Sequence, residues 1–248
     1  MSTADVRSAI ILAGGLGTRL RSAVPDLPKP MAPVRGRPFL LHQMDHWIAQ
    51  GIRHFVLSVG YRHEAVMDGL GRTYRAAALD YVIERTPLGT GGALLLAAQA
   101  LPPCEAALLL NGDTYFNVSL AALSGHARQR RAQWCLALFE SHDTQRYMGV
   151  GVDAHGSINA LREPGATWAN GGVYWFQPRA LDAVRAQPDA VRSLENDLFP
   201  QLWAQGQHFA GLCSAGAFLD IGIPEDYRRA AHVLPEIRVE GGIDVVSA

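Results

Sequence analysis

The stretch Ile10-Ile11-Leu12-Ala13-Gly14-Gly15-Leu16-Gly17-Thr18-Arg19-Leu20, followed by Lys29 between Pro28 and Pro30, decides how the chain is read. An apolar run of strand length opens directly into a glycine loop, and two cations follow it. Glycines admit positive φ and let several backbone N–H groups approach one anion, so such a loop suits a phosphate chain. Arg19 and Lys29 would neutralise the charge gathered there. Two other glycine loops fit less well. A dinucleotide-binding loop needs a third glycine opening the helix and an acidic residue after the second strand, where this chain has Leu20 and Val59-Gly60-Tyr61. A Walker loop closes on Gly-Lys-Ser/Thr, and here Thr18-Arg19 follows Gly17. A plain strand-to-helix turn is the structural alternative.

Working outward, apolar runs at 9–12, 55–59, 81–83, 106–110 and 134–139 have the length and continuity of strands buried on both faces. Segments 39–50, 63–70, 92–100 and 120–130 carry helical spacing between them. This alternation predicts an α/β fold with a mostly parallel sheet flanked by helices, and ligands at the carboxyl ends of its strands. Beyond Met148 the pattern changes to shorter strands at 149–152, 157–161 and 172–176, then helices at 179–186, 194–205 and 224–234. The expected organisation is a single domain over 1–239, with a nucleotide-binding half at about 8–147 and an inserted sugar-binding half at about 148–234. The stretch 240–248 lacks periodicity and reads as a flexible tail.

Of the 248 residues, 48% are hydrophobic, enough to bury a full core, and the formal net charge of -1 comes from dispersed charges of both signs. That excludes a broad basic face for nucleic acid or an anionic membrane, so any anion site is local. Three separated cysteines without CxxC spacing argue against a disulfide framework or a zinc site and fit a reducing cytoplasm. The N-terminal residues lack the apolar core of a signal peptide, and the longest apolar run is too short to span a bilayer. Nine histidines form no metal-ligating set.

Together with Leu12 to Arg19 and Pro28-Lys29-Pro30, four further blocks carry a resemblance: Pro87-Leu88-Gly89-Thr90-Gly91-Gly92-Ala93, Leu110-Asn111-Gly112-Asp113-Thr114, Asn170-Gly171-Gly172-Val173-Tyr174 and Phe218-Leu219-Asp220-Ile221-Gly222-Ile223-Pro224-Glu225-Asp226-Tyr227. From Ser8 to about Val233 the chain resembles the sugar-1-phosphate nucleotidyltransferases, the nucleotide-sugar pyrophosphorylases. Its wording is most similar to members that transfer GMP to a heptose 1-phosphate. The resemblance implies a Rossmann-like fold, a Mg²⁺ cofactor, NTP and sugar 1-phosphate as small-molecule partners, and a homodimer as one possible assembly.

In that chemistry a sugar-phosphate oxygen attacks the α-phosphorus and pyrophosphate leaves in line. The nucleophile is already an anion, so alignment and charge stabilisation matter more than a general base. The resemblance gives catalytic roles to Arg19, Lys29 and Asp113, and metal ligation to Asp113 and Asp220. A pair of carboxylates suffices for magnesium, which keeps waters and takes phosphate oxygens as well; the alternative for both is a turn cap. The flanking prolines limit where Lys29 can point. Nucleotide contacts fall on Leu12, Ala13, Gly14, Gly15, Gly17, Thr18, Glu84, Gly89, Thr90 and Gly112, with Thr90 as a helix cap the structural alternative. Sugar-phosphate contacts fall on Arg146, Glu163, Asn170, Gly171, Gly172 and Glu195. Many members follow the acid at Glu163 with a lysine, whereas this chain has Pro164, so either Arg146 or Arg162 substitutes or the phosphate is held differently. Tyr174 and its aromatic neighbours read as packing, and Trp168 stands near enough to Asn170 in sequence to touch the sugar.

Mannose 1-phosphate, or another NTP with another sugar, remains open at this stage, because backbone contacts from a glycine-rich segment accommodate several base edges. A non-catalytic nucleotide-sugar sensor is the competing class. Such a sensor is free to lose Arg19, Lys29, Asp113 and Asp220, and all four are present.

Overall fold

A computed structural model describes residues 6–236 apart from positions 16, 21, 26, 142, 144, 145 and 186–190. The expected tail at 240–248 and the end of the expected helix at 179–186 lie outside the described residues. In chain order the elements are β1 (Ser8–Ala13), β2 (Pro33–Val34), β3 (Arg37–Pro38), α1 (Phe39–Ala49), β4 (His54–Val59), α2 (His63–Leu70), β5 (Thr73–Tyr74), β6 (Ala77–Ile83) and α3 (Gly89–Ala97). There follow β7 (Ala107–Asn111), β8 (Thr114–Phe116), α4 (Leu120–Gln129), β9 (Trp134–Glu140), β10 (Gly149–Val152), β11 (Ile158–Leu161), β12 (Trp168–Phe176), α5 (Phe199–Ala204), β13 (Phe209–Cys213), β14 (Phe218–Asp220) and α6 (Pro224–Val233).

Continuous apolar strands need cover on both faces, and the side-chain period of two supplies it. Along β1 and β7, Ala9, Ile11, Leu108 and Leu110 enter one core with Leu40, Met44 and Trp47 of α1 and Leu123 of α4. Ile10, Ala107 and Leu109 enter the opposite core with Leu94 and Leu95 of α3 and Phe199 and Leu202 of α5. Strands β6, β4, β1 and β7 lie side by side and parallel. Their carboxyl ends therefore gather at one edge, as the sequence pattern predicts. A third cluster ties Leu20, Val24, Ala32 and Val34, which follow the glycine loop, to Tyr115, Leu219, Ile221 and Ala230. This packing carries the segment around Lys29 to the ends of β8 and β14.

The two expected halves share one sheet. Val173–Phe176 of β12 pairs antiparallel with β7, while Trp168 and Ala169 pair with β10. Strand β9 lines the other edge of β12, with a register shift between Asn170 and Tyr174, and β13 extends the sheet parallel to β9.

Several elements differ from expectation. Strand β12 begins at Trp168, four residues before the expected start, and β13 is additional to the expected strands. The glycine run at 89–92 forms the first turn of α3 instead of preceding it. The segment expected as one helix at 194–205 is a wide turn, Leu194–Leu198, leading into α5, because Pro200 has no N–H to continue the earlier hydrogen-bond ladder. Pro178–Val184 winds as a 3₁₀ helix.

Candidate active site

At the carboxyl edge, a cavity of about 290 Å³ opens between the ends of β1, β6 and β7 and the start of α3. The expected residues Leu12, Ala13, Gly14, Gly15, Lys29, Glu84, Gly89, Thr90, Gly112 and Asp113 all line it, joined by Pro30, Pro87, Ala93 and Asn111. Close approach explains several of the glycines. A Cβ on Gly112 would stand 2.6 Å from the Leu12 carbonyl oxygen, to which the Gly112 N–H already donates at 2.9 Å. One on Gly14 would meet Glu84 Oε1 at 2.2 Å, so only glycine lets that carboxylate lie against the loop.

Glu84 follows directly on β6, with its carboxylate in the cavity wall. Ser58 Oγ donates to Oε1 at 2.9 Å and the Leu88 N–H to Oε2 at 3.4 Å. Burial pushes this carboxyl above its ordinary range, against the pull of those two hydrogen bonds.

Lys29 sits in a 3₁₀ turn, Lys29–Met31, with its side chain only 10% exposed. Its ammonium donates to Asp113 Oδ2 and lies 3.7 Å from Asp220 Oδ1, so one cation bridges the ends of β7 and β14. Asp220 also accepts the Gly222 N–H at 2.6 Å and a hydrogen bond from Arg146 Nη2 at 3.1 Å. Arg146 in turn meets Asp226 at 2.5 Å, and its Nε is buried without a hydrogen-bond partner among the described residues. A second cavity, of about 540 Å³, lies on the far side of this cluster, with Arg146, Tyr147, Trp168, Phe218 and Asp220 in its wall.

Asp113 and Asp220 offer hard oxygen donors on either side of a position that the Lys29 ammonium now fills. That donor set fits a magnesium ion, which prefers oxygen and completes its shell with water and phosphate. No group of three or more histidine, cysteine or acidic residues suited to a metal occurs among the described residues, so the protein would supply these two carboxylates and substrate the rest.

Sugar-side candidates divide. Asn170 and Glu195 are joined by Tyr174, whose fully buried hydroxyl accepts from Asn170 Nδ2 at 2.7 Å and donates to Glu195 Oε1 at 3.0 Å. Thr90 Oγ1 donates to Glu195 Oε2 at 3.3 Å and accepts the Leu194 N–H at 2.8 Å. Thr90 therefore ties α3 to a distant segment and does not cap that helix. Tyr174, expected to serve packing, is the link. Gly171 and Gly172 lie in the irregular stretch of β12, where Gly172 has φ +70° and a Cβ would meet Asn111 Nδ2 at 2.7 Å.

Other expected residues stand outside these contacts. Exposed Glu163 places its carboxylate over Gly151 of β10, where an added Cβ would meet Oε2 at 2.2 Å, and it lines neither cavity. Arg162 donates to Asn196 Oδ1, which leaves Arg146 as the arginine beside Asp220. Gly17 packs on Lys29, where an added Cβ would stand 3.2 Å from Lys29 Cβ. Thr18 and Arg19 are exposed in the 3₁₀ turn Thr18–Leu20, beyond the cavity lining.

A sheet whose central strands run parallel and gather a glycine loop, a paired carboxylate cluster and a bridging lysine at their carboxyl ends defines a nucleotide-binding α/β protein equipped for phosphate chemistry. The chain belongs to the nucleotidyl transferase family, whose model matches residues 8–236. It is 38% identical to D-glycero-alpha-D-manno-heptose 1-phosphate guanylyltransferase of Aneurinibacillus thermoaerophilus, over 90% of this chain and 96% of the relative. With the Campylobacter jejuni protein of the same description it shares 34% identity over 88% and 96%. Among solved structures, HddC from Yersinia pseudotuberculosis complexed with GMP-PN is 30% identical with a TM-score of 0.78, covering 91% of this chain and 98% of that one. No helix of the described residues is long and apolar enough to cross a membrane.

Proposed function

We propose that this protein transfers GMP from GTP to D-glycero-α-D-manno-heptose 1-phosphate, giving GDP-heptose and pyrophosphate in the cytoplasm for surface glycan assembly. The observation that carries the reading is the Lys29 ammonium held between Asp113 and Asp220 at the mouth of the cavity. The relatives' stated acceptor supports the choice of sugar.

Glu84 supports guanine. Guanine presents two adjacent donors, N1–H and N2–H, and a carboxylate is acceptor-only when ionised. Uracil and thymine present one donor between two carbonyls, which such a group repels. In the reaction the sugar-phosphate oxygen forms a bond to the α-phosphorus as the bond to pyrophosphate breaks. Lys29 turns from the carboxylates to the α-phosphate and offsets its growing charge. Arg146, in the wall of the second cavity beside Asp220, takes the sugar phosphate and aligns it for attack. Arg19 covers the triphosphate from the exposed turn, the glycine loop cradles it, and Asn170, Glu195 and the Gly171-Gly172 backbone hold sugar hydroxyls. A Mg²⁺ ion on Asp113 and Asp220 supplies further charge neutralisation for the triphosphate when bound.

Product mass after incubation with Mg²⁺, each NTP and either heptose or mannose 1-phosphate tests this. GDP-heptose is the expected main product. GDP-mannose alone would change the acceptor, and no product from any pair would favour the sensor.

A further inference from the structure

Asp226 takes no part in the proposed reaction, yet its side chain is only 10% exposed and holds two guanidinium groups. It lies in the first turn of α6, where the helix N-terminus favours a negative charge. Its Oδ2 meets Arg146 Nη1 at 2.5 Å, and its Oδ1 accepts from Arg229 Nη1 at 2.7 Å. Arg146 uses its other terminal nitrogen on Asp220. The Asp220 carboxylate is therefore flanked by Lys29 and by an arginine whose charge is shared with a second acid.

We infer that Asp226 is a positioning residue: by taking one end of the Arg146 guanidinium, it limits Arg146 to a single hydrogen bond with the Asp220 side chain and leaves that carboxylate able to bind a divalent ion. Without Asp226, the guanidinium keeps the Asp220 carboxylate to which Nη2 already donates, while Asp143 accepts the Arg146 backbone N–H. Its planar fork then closes bidentately on Asp220, the strongest geometry open to that pair. Asp220 is then fully compensated. This role for Asp226 rests on Asp220 being a metal ligand, as proposed above.

The test is Mn²⁺ binding in the presence of GTP, followed by water-proton relaxation, which separates protein-bound ion from ion on free nucleotide. Thermal unfolding is recorded alongside to confirm a folded protein. Asp226→Asn should weaken Mn²⁺ binding by about tenfold, the usual scale for losing an outer-shell partner. Arg146→Gln should leave binding near the wild-type level, and the double variant D226N/R146Q should recover it, because no arginine remains to close on Asp220. Wild-type affinity in folded D226N, or equal weakness in D226N and the double variant, would overturn the inference while leaving the proposed function standing. If the wild-type protein binds no Mn²⁺ yet makes GDP-heptose, the metal role of Asp220 falls and this inference falls with it.

Discussion

On the nucleotide side of the Lys29 cluster, the site is built from short contiguous motifs at strand ends: Gly14 after β1, Glu84 at the end of β6, Gly112 and Asp113 after β7. On the Arg146 side it is built from single residues far apart in sequence, with Arg146 from a loop, Asp220 from β14 and Asp226 from α6. The first kind of site is fixed by backbone approach, where an added methyl group would strike a carbonyl. The second is fixed by charge pairing among side chains. Substitution should therefore damage the two sides differently: strain on one, misdirected charge on the other.

The largest expected effect lies where the two sides meet. Lys29→Ala and Asp113→Ala should each lower kcat by about 10³-fold, the upper range for removing one preorganised charge-stabilising group. Both should leave a folded protein, since neither belongs to a buried apolar cluster. Steady-state kinetics with circular dichroism decides this, and near wild-type turnover in either variant would remove that residue from the mechanism.

Backbone approach gives the next prediction. Gly89 has φ +71°, and a Cβ there would stand 2.4 Å from the Arg192 carbonyl oxygen. Gly89→Ala should destabilise the fold by about 2 kcal/mol through left-handed strain and overpacking. Asp226→Asn, on the charge side, should cost less stability than Gly89→Ala while altering metal binding more. Denaturant unfolding of the two variants decides this, and a reversed order would mean that charge pairing stabilises the fold more than the close backbone approach at Gly89.

The sequence shows these sides unequally, for a physical reason. Gly14, Lys29, Gly112 and Asp113 are legible because the chemistry of a strand end, a tight turn and an anion constrains neighbouring residues together. The pairing of Arg146 with Asp226 is not, because two charges eighty positions apart carry no mark of their contact. Tyr174 misleads for a related reason: a large aromatic on a buried strand reads as packing, and its hydroxyl becomes informative only when Asn170 and Glu195 are seen on either side. Strand β13 escapes the sequence pattern because Phe209-Ala210-Gly211-Leu212-Cys213 has a central glycine, which weakens strand propensity. It forms because β9 offers a free edge. The parallel strands β1, β4 and β7 fall within a residue or two of expectation because continuous apolar runs of that length need a doubly covered sheet.

Glu84 is an exception on the nucleotide side, a charge that burial disfavours. Its carboxyl is raised above the unfolded value, so the folded state holds its proton more tightly, and the cost of ionising it appears as pH rises from the unfolded pKa through the folded one. Glu84→Gln should therefore raise Tm at pH 8 and change it little below the unfolded pKa, where the carboxyl is protonated in both states. The same variant should raise the KM for GTP by about tenfold or more and narrow its advantage over other NTPs, because guanine loses an acceptor facing two donors. An unchanged nucleotide preference would remove Glu84 from base recognition.

The smallest effect belongs to Tyr174→Phe. The ring stays in its core, and only the hydroxyl between Asn170 and Glu195 is lost, for about 1 kcal/mol of stability. Asn170 Nδ2 and Glu195 Oε1 then lose their common partner and gain freedom at the point where sugar hydroxyls are expected to dock. KM for heptose 1-phosphate should rise by about threefold to tenfold with KM for GTP unchanged. An equal rise in both constants would mean that the hydroxyl braces the whole cavity through Thr90, and the division between a backbone-built and a side-chain-built half would fail at that residue.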